Sequence, residues 1–152
     1  MLWLVGILCG GLFALAWWVS RPAASVPRWL FRLAVLLALL ALALPPEGVR
    51  LIREALTALI PLVREVSDVQ GASYMVHFLV FGTVSGMLFW IRSDLGWLRP
   101  GLAMAALAVV MEGLQLLVAG RFASWLDVIA NLSGLVAAAL VVWLIRPRAS
   151  AT

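Results

Sequence analysis

SWLDVIANLSGLVAAALVVWLI, residues Ser124–Ile145, carries one charge, Asp127, before it meets Arg146-Pro147-Arg148. A bilayer span needs about 20 mostly apolar residues, and this run meets that length. The same test works outward along the chain. Gly101–Val118 passes it, as does Tyr74–Ile91, which opens on a tyrosine and closes near Trp90 and Arg92, an interfacial pattern. Trp29–Leu44 passes it with Arg32 one turn in, where a long side chain can snorkel to the headgroups. It ends at Pro45-Pro46, which cannot continue the helical hydrogen bonding. Leu2–Val19 has no charge at all and stops at Arg21-Pro22. The expected fold is all-α: one transmembrane domain over residues 1–152, a small bundle of about five transmembrane helices.

Composition points the same way. Of the 152 residues, 65% are hydrophobic and 12% charged, with a mean hydropathy of +1.11. Soluble domains run about 45–50% apolar and about 25% charged, so an ordinary water-soluble enzyme is excluded, and so is disorder. The net charge of +4 comes from eleven basic residues, all arginine and scattered singly. A nucleic-acid partner, which would need a basic stripe, is therefore excluded. Cys9 is the only cysteine, so no internal disulfide can form, and it reads as a small apolar filler. The first segment lacks the positive flank of a signal peptide and is taken as retained.

Glu47–Asp68 is different. Ile52, Leu56, Leu59, Val63 and Val66 recur at three- and four-residue steps, opposite Arg50, Thr57, Arg64 and Asp68. The segment reads as an amphipathic helix, kinked at Pro61, that either lies in the membrane interface or caps the bundle. Arginine placement then sets orientation. With the N-terminus outside, seven arginines (21, 28, 32, 92, 99, 146 and 148) face the cytoplasm and four (50, 53, 64 and 121) face out. The expected placement is in a membrane crossed several times, with the C-terminus on the cytoplasmic side.

Polar residues inside such a bundle are costly, face the protein interior or water, and mark function by default. They are His77 on the third span, Glu112 and Gln115 on the fourth, and Asp127 and Asn131 on the fifth; Arg121 stands in the link between the last two. His77 and Asp127 each lie three residues from an outer helix end, about 4.5 Å at 1.5 Å per residue. Glu112 and Asn131 lie roughly 9–11 Å deep by the same rise. Spacings of i,i+3 and i,i+4 put Glu112 with Gln115, and Asp127 with Asn131, on single helix faces. Ser124, Asp127, Asn131, Gly134 and Ala138 form one small-and-polar stripe, and Gly82 and Gly86 offer a matching small face. A polar pocket opening outward between three helices satisfies all of this. Taken singly, each residue can instead be helix glue, worth about 0.6 kcal/mol.

Met111–Gly134, MEGLQLLVAGRFASWLDVIANLSG, resembles the block typical of VanZ-like membrane proteins. The matching residues are Glu112, Gln115, Gly120-Arg121, Asp127, Asn131 and Gly134. His77-Phe78 followed by Phe81-Gly82 resembles that family's other motif, although Ser73-Tyr74 stands near the position of its usual Asp-Lys pair. The resemblance covers roughly residues 29–145. It implies a cell-envelope protein, linked through the family to resistance to teicoplanin, a glycopeptide that binds peptidoglycan precursors.

Two classes of function follow. In the first, the chain binds or acts on a lipid-linked glycan or peptidoglycan-related substrate at the outer leaflet. Its catalytic candidates are Glu112 or Asp127 as general base and His77 as the acid or its orienter. Gln115, Arg121 and Asn131 would bind substrate, Arg121 through its planar donor fork. No serine or cysteine nucleophile motif accompanies them. His77, Glu112 and Asp127 are reasonable ligands for zinc or a harder ion, but a lone histidine without an i,i+4 partner argues against a resident metal. No cofactor is expected. In the second class the chain is a non-catalytic scaffold or partner subunit of an envelope or exopolysaccharide system, with membrane lipids as neighbours and a homo-oligomer open through the Gly82/Gly86 face. A proton or ion conductor ranks last, because the cytoplasmic halves of the last three spans hold no ionisable residue.

Overall fold

Pro27, Pro100 and Pro147 mark where helices can begin and must stop. In the computed structural model, which describes residues 2–43, 72–118 and 123–146 together with 47, 48, 50, 51, 54 and 55, the regular elements of the described residues are all helical, and Pro27 and Pro100 stand at two helix starts. The helices are α1 (Leu2–Val19), α2 (Ser25–Ala43), α3 (Ala72–Ile91), α4 (Leu98–Gln115) and α5 (Trp125–Ile145), with a 3-10 turn at Ser93–Leu95. There is no strand among the described residues. Pro27 lies in the first turn of α2 and Pro100 in that of α4. A missing N–H leaves nothing unsatisfied there, so both helices start ahead of the fully apolar runs at Trp29 and Gly101. At the other end of α4 the chain tightens after Gln115, with Leu117 N donating to Leu114 O and Val118 N to Gln115 O, each at 3.0 Å. Gly96, at φ +67°, supplies the left-handed residue that turns the chain between the 3-10 turn and α4, a conformation only glycine adopts without strain. Arg146, immediately before Pro147, is extended, as a residue preceding proline prefers.

Most of the amphipathic segment expected over 47–68 lies outside the described residues, as does its relation to the bundle. The described positions 47, 48, 50, 51, 54 and 55 are helical. Arg50 and Glu54 make an exposed i,i+4 ion pair of 3.6 Å, the spacing of a solvated helix face.

The most intimate packing joins α3 to α5. A Cβ on Gly82 would stand 3.3 Å from the Gly134 carbonyl oxygen, and one on Gly134 would stand 2.9 Å from Gly82 N and collide with the Phe78 carbonyl. Two backbones therefore touch where both side chains are absent, the close approach that small residues allow between membrane helices. One turn on, Gly86 meets the Ala138 methyl at an ordinary 3.6 Å. Phe81, Leu88 and Phe89 of α3, Met104 and Ala108 of α4, and Leu135 and Val142 of α5 fill the core around this seam. The Gly82/Gly86 face is thus occupied within the chain, and a homo-oligomer would need another surface.

The outside of the molecule is apolar. Ile7, Leu37, Leu79, Leu102, Ile129 and Leu140 are each more than half exposed, whereas soluble monomers rarely show contiguous apolar patches beyond a few hundred Å². Ser73–Ile91 and Trp125–Ile145 are long and apolar enough to cross a membrane, and Trp3–Val19 is a shorter apolar helix.

Arginines gather where α1 and α3 end. Arg32, buried at 6% exposure, donates from Nε to Ser20 Oγ (2.9 Å) and from Nη2 to the Trp17 carbonyl (3.1 Å). Its guanidinium carbon stands 3.6 Å from the Trp17 ring centroid and 5.0 Å from that of Trp29. Within the chain, this planar cation finds its partners in an indole face and the carbonyls of a helix end. Arg92 Nη1 donates to the Val19 carbonyl (3.1 Å) and Arg146 Nη2 to the Trp90 carbonyl (3.3 Å). Cations are favoured at helix C-termini by the macrodipole, and here they tie α2, α3 and α5 to neighbouring helix ends.

Candidate functional site

At the opposite end, α3, α4 and α5 each contribute an ionisable side chain to one cluster. α5 begins with Ser124, whose Oγ accepts from Leu126 N at 3.2 Å. Asp127 follows at the third helical position, where a capping-box acid would reach back to the N-cap amide. That amide is already engaged: Ser124 N donates to Glu112 Oε2 of α4 at 3.0 Å. Asp127 is left to face α3, with Oδ1 3.8 Å from His77 Nε2. One turn further along α5, Asn131 Oδ1 accepts from His77 Nδ1 at 3.2 Å. The i,i+4 spacing of Asp127 and Asn131 thus delivers one partner to each ring nitrogen.

Burial gives the cluster its electrostatic character. Glu112 is 4% exposed, Asp127 8% and Asn131 1%, while the His77 side chain is 20% exposed. Glu112 Oε1 and Asp127 Oδ1 are buried with no hydrogen-bond partner. A buried carboxylate oxygen without a donor is expensive, and each such atom in a native structure calls for an explanation. Asn131 fixes the imidazole: with its carbonyl oxygen facing Nδ1, that nitrogen carries the proton. Nε2 is then free to present a lone pair, or, in the imidazolium, a second N–H, toward Asp127. One nitrogen of His77 and one oxygen each of Glu112 and Asp127 lie within 4.8 Å of one another.

Of the six residues singled out from sequence, His77, Glu112, Asp127 and Asn131 meet. Gln115 is buried at 6% exposure, three residues beyond Glu112 at the end of α4. Arg121 lies in the link 119–122, outside the described residues. Sequence reasoning missed Ser124 as a site residue. Its amide holds Glu112 and thereby releases Asp127, and the Ser-x-x-Asp spacing at the start of α5 was the available signal. The apolar groove of about 590 Å³ bounded by Phe89, Trp97, Gly101, Leu135 and Trp143 is separate from the polar cluster.

Comparison with protein-family models, curated proteins and solved structures finds no match to this chain.

Proposed function

We propose that this chain is a VanZ-like protein of the bacterial cell envelope that binds or acts on a lipid-linked glycan or peptidoglycan-related substrate through the His77–Glu112–Asp127 cluster. The observation that carries the proposal is the pair of buried, unpartnered carboxylate oxygens, Glu112 Oε1 and Asp127 Oδ1, beside a half-buried histidine. Helix glue needs polar groups that satisfy one another; these leave acceptors free. In an enzymatic form, Glu112 or Asp127 takes a proton from the substrate and His77, held by Asn131, gives or receives one. Gln115 and Arg121 bind its polar groups, Arg121 by holding a phosphate or carboxylate. The motif resemblance over Met111–Gly134 supports the link to glycopeptide resistance.

All five helices cross the inner membrane in this reading, with the N-terminus outside and the cluster near the outer face. The apolar exterior and the excess of arginine at the α1/α3 ends support it. A C-terminal green-fluorescent fusion should glow and an alkaline-phosphatase fusion at the same site stay inactive; the reverse pattern overturns the orientation. For function, Glu112→Gln, Asp127→Asn and Arg121→Ala should each remove the teicoplanin tolerance conferred by the expressed wild-type chain. Full tolerance in all three at matched membrane levels ends the proposal.

A further inference from the structure

We infer that His77, Glu112 and Asp127 together bind one divalent transition-metal cation, of the zinc or manganese class. The inference concerns the site of the proposed function and rests on those residues forming a single site, but it needs no particular organic substrate. Three observations carry it independently of the resemblance.

The first is the donor set. An imidazole nitrogen and two carboxylate oxygens, from three different helices, lie within 4.8 Å of one another. Ligand atoms around a zinc-sized ion stand about 3–4 Å apart, given bonds of about 2.0–2.2 Å. The pair His77 Nε2 and Asp127 Oδ1, at 3.8 Å, already has that separation, and it is too long for a hydrogen bond. The second is the unused valence: Glu112 and Asp127 are more than nine-tenths buried, and each keeps one oxygen without a donor. Two carboxyl groups this close in an apolar bundle cannot both be ionised cheaply, and a cation between them is one way to offset their repulsion, a shared proton being the other. The third is the outer shell. Ligating histidines donate their other ring N–H to a fixed acceptor, and ligating carboxylates are themselves hydrogen-bonded. Asn131 Oδ1 on His77 Nδ1 and Ser124 N on Glu112 Oε2 supply both arrangements.

Mixed nitrogen and oxygen ligation by side chains suits zinc or manganese better than magnesium, which dehydrates reluctantly and keeps most of its waters. Three protein ligands also leave coordination positions open, as in catalytic rather than structural sites. An anionic oxygen of a phosphate or carboxylate ligand can fill them.

The test uses the full chain in detergent, stripped with a chelator and dialysed against zinc chloride, manganese chloride or magnesium chloride. Zinc or manganese is expected to load at one ion per chain and to raise the unfolding midpoint as its concentration rises, with magnesium giving no rise. Glu112→Gln and Asp127→Asn should abolish the metal-dependent rise. Asn131→Leu, which removes the acceptor that orients His77, should weaken binding roughly 10–100-fold. Helical content by circular dichroism certifies each variant, and the wild-type loading experiment decides the matter even where a variant does not fold. A folded wild type that holds no stoichiometric zinc or manganese and shows no shift overturns the inference. The two readings fail separately. Metal binding with teicoplanin tolerance intact in the Glu112 and Asp127 variants ends the proposed function alone, whereas lost tolerance without any bound metal ends the metal site alone.

Discussion

The two ends of the helix bundle partner their charged side chains in different ways. At one end Arg32, Arg92 and Arg146 each terminate on a main-chain carbonyl of a neighbouring helix. At the other, Glu112 is held by the Ser124 amide through one oxygen with the other unpartnered, and Asp127 Oδ1 is buried without a hydrogen bond. Both ends are charged and both involve helix termini, so charge alone does not separate structure from function. What separates Arg32, Arg92 and Arg146 from Glu112 and Asp127 is that these arginines end on main-chain carbonyls, although Arg28 Nε nearby is also buried without a partner. An arginine spent on the C-terminus of a helix completes that helix. A carboxylate whose spare oxygen faces a histidine and a second carboxylate costs stability, and sites that do chemistry or bind ligands are where such costs are found.

The largest expected effect breaks both ends together. Gly134→Leu would drive a side chain into the Phe78 carbonyl and Gly82, where inserted bulk in a packed interface costs about 1–3 kcal/mol or more. Thermal unfolding in detergent should show a large fall in midpoint. Gly86→Ala, facing a methyl at an ordinary 3.6 Å, should leave the midpoint near wild type.

Arg32→Ala comes next and touches only the arginine end. It removes hydrogen bonds to Ser20 and Trp17 and the stacking on two indoles. The unfolding midpoint should drop by several degrees while zinc or manganese binding by the surviving folded protein is unchanged. Arg32→Lys should not restore it, because an ammonium lacks the planar fork that serves both acceptors.

The opposite end should show the inverse pattern. Asp127→Asn replaces a buried carboxyl that has an unpartnered oxygen, so metal-free stability should hold or rise by about 1 kcal/mol, while teicoplanin tolerance is lost. A tolerance assay run beside calorimetry checks it.

The smallest effect lies at the arginine end, in the Arg92–Asp94 pair at 2.8 Å, where the Asp94 side is exposed. The hydrogen bond from Arg92 holds the Asp94 carboxyl below the ordinary carboxylate range. A depressed folded-state value means that the pair's contribution is present above the unfolded value of about 4. It fades as pH falls below that value and through the depressed one. Asp94→Asn should therefore flatten the acid limb of the stability profile slightly and leave neutral pH nearly untouched, as surface pairs usually do.

Much of this division was legible from spacing. Apolar run length located the helices, and i,i+4 spacing put Asp127 and Asn131 on one face, where both reach His77. The small-residue rows Gly82/Gly86 and Gly134/Ala138 marked faces for close helix contact, but that they meet each other rather than a second copy was not legible. Other features depend on contacts between distant residues and could not be read along the chain. The partners of Arg32, Ser20 and Trp17, precede it by twelve and fifteen positions and were not legible along the chain. Glu112 could not be seen to take the Ser124 amide, which is what frees Asp127. Helix α4 starts and stops three residues earlier than its apolar run, because Pro100 is acceptable in a first turn and the run's last residues form a tighter turn.

The claim that the carboxylate cluster is a working site rather than helix glue is tested most directly by the unfolding midpoint of metal-stripped Glu112→Gln against metal-stripped wild type. The glutamine keeps an acceptor for Ser124 N and removes the buried carboxyl. A midpoint equal to or above wild type is the expected result. A fall of many degrees would show that the Glu112 carboxylate holds the helices together, and would contradict the account.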